Sequence, residues 1–448
     1  MEIIRRKITK LYNWKYFPFV ILTLGLIPIH LALTLGTGDD PTYVNILSSP
    51  NLLEYFIMRY NTWSARLIIE FLMISIVNHQ TIWIICDIAI MVLIAVMISK
   101  LFVKTDIRKT NWFITAMMFI YPFIHMSTAG WMATTLSYCW ILAIGLFAMM
   151  PIKKMLYDEK IKWYEYIFYV LALIFATNHE QMCLILLAVY LVFAIYLFIK
   201  DKSQKFLILP IVICLGSLVF ILTCPGTVAR KIQEVERWFP EFNNMHFFRK
   251  IELGFSSTIF EFVMKPNMVF TIFCGMLFIC IVIKRKQTCI RAIAAVPFIS
   301  SLIFGSFSAT TGVIFPGILK IINSMTKIGT DIKFYYIKTW VPDIILGVIC
   351  ISIIISLYLL FDDKKHSLLM IFIILLGFGS RMIMGFSPTI WASNARTFIF
   401  MYFSFITCSI IFCNIILESK NIRYIRISNI SITIIAIISL ITTVMEVT

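Results

Sequence analysis

The stretch TIWIICDIAIMVLIAVMIS at residues 81–99 carries one acidic or basic side chain, Asp87, in an otherwise apolar run. About 20 such residues cross the ~30 Å hydrocarbon core of a bilayer as an α-helix, whereas barrel strands would show ~10-residue alternation. Reading outward, similar runs recur along the whole chain. They fall at 17–35, 81–99, 112–127, 133–150, 163–177, 182–199, 206–223, 268–283, 290–308, 343–361, 367–383, 397–416 and 429–446. The expectation is an all-α, polytopic integral membrane protein with about 13 transmembrane helices. With 448 residues, 60% of them hydrophobic, and a mean hydropathy of +0.92, the chain has more apolar surface than a soluble core of this length could hide.

Charge sets the orientation, because Lys and Arg favour cytoplasmic loops. Placing the N-terminus inside puts most of the 39 basic residues in inner segments. These are Arg5, Arg6, Lys7, Lys10 and Lys15, then Lys100, Lys104, Arg108 and Lys109, Lys153 to Lys162, Lys200 to Lys205, Lys284 to Arg291, Lys364 and Lys365, and Lys420 to Arg426. The net charge of +16 then reads as an insertion signal, and no nucleic-acid partner is needed to explain it. A basic start followed by an apolar run resembles a signal anchor, and Leu35-Gly36-Thr37-Gly38 offers no small-x-small cleavage site, so the first helix is expected to be retained.

With no internal repeat or low-complexity linker in sight, residues 1–448 read as a single membrane domain. Inner loops are short, while outer ones are long at about 36–80, 224–267 and 309–342, so the working surface is expected outside. In the first outer loop, Leu52, Leu53, Phe56 and Met58, then Leu67, Ile68, Phe71 and Leu72, follow Pro50 at helical spacing. This predicts two short interfacial helices, with Tyr60 and Trp63 at headgroup level. The second excursion, Pro225 to Pro266, mixes apolar and charged residues and reads as an amphipathic lid. Eleven cysteines are scattered mainly in the spans without a CxxC and read as apolar packers. The sequence also lacks GxxxxGK[ST], HExxH and GxSxG, which removes the motif basis for ATPase, zincin and serine-hydrolase chemistry.

Five polar constellations remain. Gly38-Asp39-Asp40-Pro41 turns the chain just after the first span, where a carboxylate with a like-charged neighbour could act as a general base. The alternative is that the acids merely mark a helix end in water. Arg66 and Glu70 lie four apart, which suits a helical ion pair; alternatively Arg66 positions the Asp39–Asp40 region or a phosphate. Asn178-His179-Glu180-Gln181 puts four polar residues between two spans, with Glu180 as a second acid or base and His179 as a ligand contact or a plain cap. Cys224-Pro225-Gly226 leads to Arg230, and Arg381 and Arg396 flank the turn Gly385-Phe386-Ser387-Pro388. Three arginines at membrane exits suit an anionic headgroup, although each alone could be a snorkelling anchor. Asp87 is expected to be a hydrogen-bonded packing residue near the inner half of its span.

Taken together, Asp39 and Asp40, Trp63-Ser64-Ala65-Arg66 with Glu70, Asn178-His179-Glu180, Pro225-Gly226 with Arg230, and Arg381 with Gly385 to Pro388 and Arg396 resemble the GT-C superfamily of membrane glycosyltransferases. The resemblance is closest to a bacterial multi-spanning family related to lipid-linked glucosyl transferases. It implies a GT-C-like fold in the bacterial plasma membrane, N-terminus cytoplasmic, a polyprenyl-phosphate sugar as donor, and a glycan or lipid acceptor outside. By that resemblance Asp39 or Asp40 is the base of an inverting transfer, and Arg230, Arg381 or Arg396 stabilises the departing phosphate. A divalent cation is compatible with the acid pair but is not required. Two rival functions are a polymerase or ligase of lipid-linked saccharides and a non-enzymatic glycolipid flippase.

Overall fold

The computed structural model describes residues 13–44, 46, 51–202 and 205–447. Arg5, Arg6, Lys7, Lys10 and Pro50 lie outside the described residues, as does the side chain of Lys205. Within the described residues the chain is helical throughout, with no strand beyond one isolated bridge between Thr326 and Gly329. This is the outcome that apolar solvent imposes, because a helix satisfies its own backbone polar groups within one segment.

Eight helices among the described residues are long and apolar enough to cross a membrane, or up to ten when each of two bent pairs is one span. Helices occupy all thirteen expected stretches. However, Phe17–Ala32, Ile107–Ile120 and Trp163–Ala176 have only 14–16 residues, about 21–24 Å of rise. That length is short of a full hydrocarbon core. The bent pairs are Ile208–Thr223 with Pro225–Trp238, at 52°, and Phe247–Val263 with Met268–Lys284, at 80°. Each bend has a local cause. Pro225 fits the first helical position after the break, and Asn267 caps the second helix by accepting the Phe270 N–H at 3.0 Å.

The helix Asn394–Glu418 is the axis of the bundle, 94% buried over its apolar window. Met268–Lys284 and Lys364–Met382 pack along it, with Ile107–Ile120 and Gln80–Phe102 beyond. Side-chain contacts sort the loops into two ends. At one end Arg108 donates to Asn13 at 3.0 Å, Thr105 donates to Glu418 at 3.1 Å, and Lys153 reaches the Lys100 carbonyl. At the other end Arg66 meets Glu180, Cys224 meets the Tyr60 carbonyl at 3.1 Å, and Arg396 approaches Thr128. The first of these ends collects the basic loops, and the second collects the five polar constellations.

Between the ends lies a buried polar triad. His30 sits 2.9 Å from Asp87 through Nε2 and 2.9 Å from the Leu26 carbonyl through Nδ1, so Nδ1 carries a proton. The indole of Trp140 donates to the other Asp87 oxygen at 2.7 Å. Asp87 is therefore a hydrogen-bonded packing residue, as its sequence context suggested. Its helix begins at Gln80, at the end bearing the polar constellations, so Asp87 lies in the half nearer the candidate site.

Candidate functional site

Two glycines allow the first loop to close on the bundle. Gly38 has φ +62° and Gly130 φ +90°, and a Cβ on Gly38 would come within 2.3 Å of the Gly130 nitrogen. This close approach lets the Asp39 N–H donate to the Ala129 carbonyl at 3.0 Å. It also drives the neighbouring Asp40 side chain under the first turn of the helix that starts at Trp131. There Asp40 accepts the N–H groups of Ala133 at 2.9 Å and Met132 at 3.3 Å, with no exposed surface. An acid accepting from the free N–H groups of a helix start is a cap placed favourably for the helix dipole. Burial raises its carboxyl above the ordinary value, and the two N–H donors partly offset that. Asp40 is thus engaged as a structural cap and does not reach the cavity described next. Of the two acids, Asp39 is the one that lines that cavity.

Asp39 faces a cavity of about 180 Å³ together with Arg59, Trp63, Arg66, Arg230 and Arg396. Glu70, Glu234, Tyr43 and Tyr138 belong to its polar wall, with five Ser and Thr side chains. Three of the four arginines are already compensated. Arg59 makes a two-point contact with Glu70 at 2.7 and 2.8 Å, Arg66 pairs with Glu180 at 2.5 Å, and Arg230 approaches Glu234 at 3.3 Å. Arg396 has only a marginal contact, 3.5 Å to the Thr128 hydroxyl. Neither Asp39 nor Arg396 has an ion-pair partner among the described residues.

The ion pairs correct one expectation. Arg66 and Glu70 do not pair with each other, because Arg66 sits at the cap of the helix Leu67–Ile76 and extends to the start of the next wall, Glu180. Glu70 turns back across the Trp63–Arg66 corner to Arg59. Trp63 has a further role in the packing of this loop. Its ring lies between the guanidinium groups of Arg59, at 5.5 Å, and Arg230, at 5.9 Å, and so joins the first loop to the lid helix Pro225–Trp238. Gly226 makes this junction possible, since its Cβ would fall 2.4 Å from the Trp63 nitrogen. Leu52–Thr62 and Leu67–Ile76 are the two short helices expected in this loop.

His179 and Arg381 lie behind the wall and do not line the cavity. His179 packs between the rings of Tyr138, at 5.0 Å, and Phe400, at 5.9 Å, with both ring nitrogens unpartnered. Burial, then the Arg66 charge, pushes its imidazole down to about 3, so it is neutral. Arg381 is 1% exposed and stacks 4.3 Å over Phe398, leaving Nε and Nη1 without hydrogen-bond partners. Expected substrate contacts therefore divide into those at the cavity, Arg66, Arg230 and Arg396, and two that are sealed off from it.

Arg59, Tyr43, Tyr138 and Glu234 are cavity residues that the sequence reading did not assign to a site. Only for Arg59 was a signal present, an arginine and a glutamate eleven apart on either side of a turn. Tyr138 sits in a π-helical segment, Leu136–Trp140, within the helix Trp131–Leu156. Such segments recur at functional sites because the extra residue re-aims the side chains around it.

The acid pair does not fit a divalent cation, because Asp40 has its two oxygens committed to backbone donors and does not line the cavity that Asp39 faces. Among the described residues no group of three or more His, Cys, Asp or Glu side chains gathers in a way that could hold a metal ion. The arrangement can bind an anion and remove a proton within one small volume. The cavity is below the ~300–1,000 Å³ of pockets that enclose a whole ligand, so it suits a headgroup whose remainder stays outside. No family model, no curated protein and no solved structure matches this chain.

Proposed function

We propose that this protein is a GT-C-type membrane glycosyltransferase that moves a sugar from a polyprenyl-phosphate donor to a hydroxyl acceptor at the membrane face bearing the cavity. The observation that carries this reading is that Asp39 and Arg396, opposite charges without ion-pair partners, line the same cavity. In the proposed step Asp39 accepts the proton of the acceptor hydroxyl, and that oxygen forms the new bond to the anomeric carbon. The bond from that carbon to the phosphate oxygen breaks with its electron pair, and configuration inverts. The departing phosphate gains negative charge, which Arg396 meets directly and Arg230 meets from its weak pair with Glu234. Arg59 and Arg66, already compensated, shape the wall, and Arg59 packs against Trp63.

The topology that accompanies this reading has thirteen crossings in a bacterial plasma membrane, with the N-terminus and the basic loops in the cytoplasm. The three short helices would cross where flanking irregular segments or local thinning make up the missing length, at a modest cost. Donor and acceptor then meet outside the cell.

The test is purified protein in lipid, given a panel of polyprenyl-phosphate sugars and assayed for release of the lipid phosphate. Turnover by the parent and a ~10²-fold or greater loss in Asp39→Asn are expected for removal of a general base. Transbilayer movement of the donor without phosphate release would instead identify a flippase, and products of altered chain length would identify a polymerase or ligase.

A further inference from the structure

At the end of the bundle opposite the candidate site, the short loop after Met268–Lys284 meets the short loop after Ile337–Leu360. Between them is a cavity of about 460 Å³ lined by Lys284, Arg285, Lys286, Asp362 and Lys364. The two loops are tied to each other. Arg285 donates through Nε to the Leu359 carbonyl at 2.6 Å and pairs through Nη2 with Asp362 at 2.7 Å. Arg291 fixes the first loop from below by donating to the carbonyl oxygens of Arg285, at 2.8 Å, and Val282, at 3.2 Å. Lys364 donates to the carbonyls of Tyr358 and Phe361 at 3.0 and 3.2 Å.

This leaves an excess of positive charge in a shaped volume. The one acid lining the cavity is already paired with Arg285, and Lys284 and Lys286 have no ion-pair partner among the described residues. Like charges gathered around one volume repel, and an anion placed among them relieves that repulsion. The approach to the cavity indicates where the anion comes from. Ile344, Val348, Ile351, Ile355 and Tyr358 are exposed at spacings of four, three, four and three along Ile337–Leu360, an outward apolar stripe that ends beside the cavity. A lipid whose chains lie along that stripe would bring its headgroup phosphate to the lysines.

We propose that this cavity binds the phosphate of an anionic phospholipid from the surrounding leaflet, held by Lys284, Lys286 and Lys364. Basic pockets between membrane helices recognise anionic headgroups on these terms, with each nearby cation contributing to affinity. The proposal is independent of the glycosyl-transfer reading, since it uses none of the residues at the other end of the bundle.

The full-length protein, purified in a neutral detergent, should be titrated with phosphatidylglycerol and with phosphatidylcholine and the bound lipid counted by native mass spectrometry. Phosphatidylglycerol should bind with preference, and Lys284→Gln with Lys286→Gln should weaken it about tenfold. Lys104→Gln with Lys160→Gln, exposed basic residues of other loops at the same end, removes equal charge and should change binding less than twofold. Asp362→Asn should act in the opposite direction and tighten binding. An equal loss in both lysine pairs would overturn the site in favour of diffuse surface charge. Competition by inorganic phosphate as strong as by the lipid would overturn the lipid assignment.

Discussion

Asp39 and Asp40 are neighbours in the chain but have different partners, Asp39 lining the arginine-rich cavity and Asp40 accepting backbone N–H groups of the helix that begins at Trp131. Two identical side chains therefore sit in different surroundings. Asp39→Asn should lower turnover at least ~10²-fold while leaving the thermal midpoint close to that of the parent. Asp40→Ala should do the reverse, costing about 0.5–2 kcal/mol of stability as a lost cap while part of the turnover remains. Thermal melts in detergent alongside initial rates decide between these, and the opposite pattern would exchange the two roles.

Arg381 is a buried guanidinium over an aromatic ring, with two of its nitrogens unpartnered. Desolvation of a charge costs several kcal/mol in real proteins, whereas stacking on a ring returns ~0.5–2 kcal/mol. Arg381→Met keeps the apolar stem and removes the charge, so the protein should melt at a higher temperature than the parent. A lower melting temperature would mean that contacts of the guanidinium outweigh its desolvation.

The lid is fastened to the first loop at Gly226, where backbone meets backbone. A Cβ there would lie 2.4 Å from the Trp63 nitrogen and 2.6 Å from the Tyr60 carbonyl oxygen, neither of which can rotate away. Gly226→Ala should cost about 1–3 kcal/mol as overpacking and displace Arg230 from Trp63. Limited proteolysis around residues 224–245 offers a direct measure: faster cleavage in the variant is expected, and an unchanged rate would show that the lid is held elsewhere.

Asp87 joins three helices through His30 and Trp140, all without contact to the cavity. Removing one partner of a buried network leaves the others unsatisfied, so Asp87→Ala should cost about 3–5 kcal/mol. His30→Ala in the Asp87→Ala background should then cost much less than His30→Ala alone, because the two residues act as one unit. Additive losses in the melting experiment would contradict that coupling.

Much of this architecture was legible beforehand because its causes are local. An apolar run must satisfy its own backbone hydrogen bonds, so the helices lie where the sequence placed them, and spacing alone predicted Leu52–Thr62 and Leu67–Ile76. Asp39, Arg66, Arg230 and Arg396 were singled out because ionisable groups at membrane exits are few, and all four reach one cavity. The ion pairs were not legible. Arg66 faces a glutamate 114 positions away, and nothing in the intervening chain encodes that distance. The same holds for His179 and Arg381, whose types suggest ligand contact while their burial places them behind Tyr138 and over Phe398.

By itself the sequence determined the class of solvent, the helical state, the two chemical ends of the bundle and a short roster of polar residues, because hydropathy and charge are properties of the residues themselves. Only the tertiary structure decided which acid lines the cavity, which arginines are already paired, and that the helix Pro225–Trp238 packs on Trp63. Those facts depend on how distant segments approach one another, and at Gly38, Gly130 and Gly226 the approach is so close that a single methyl group would prevent it.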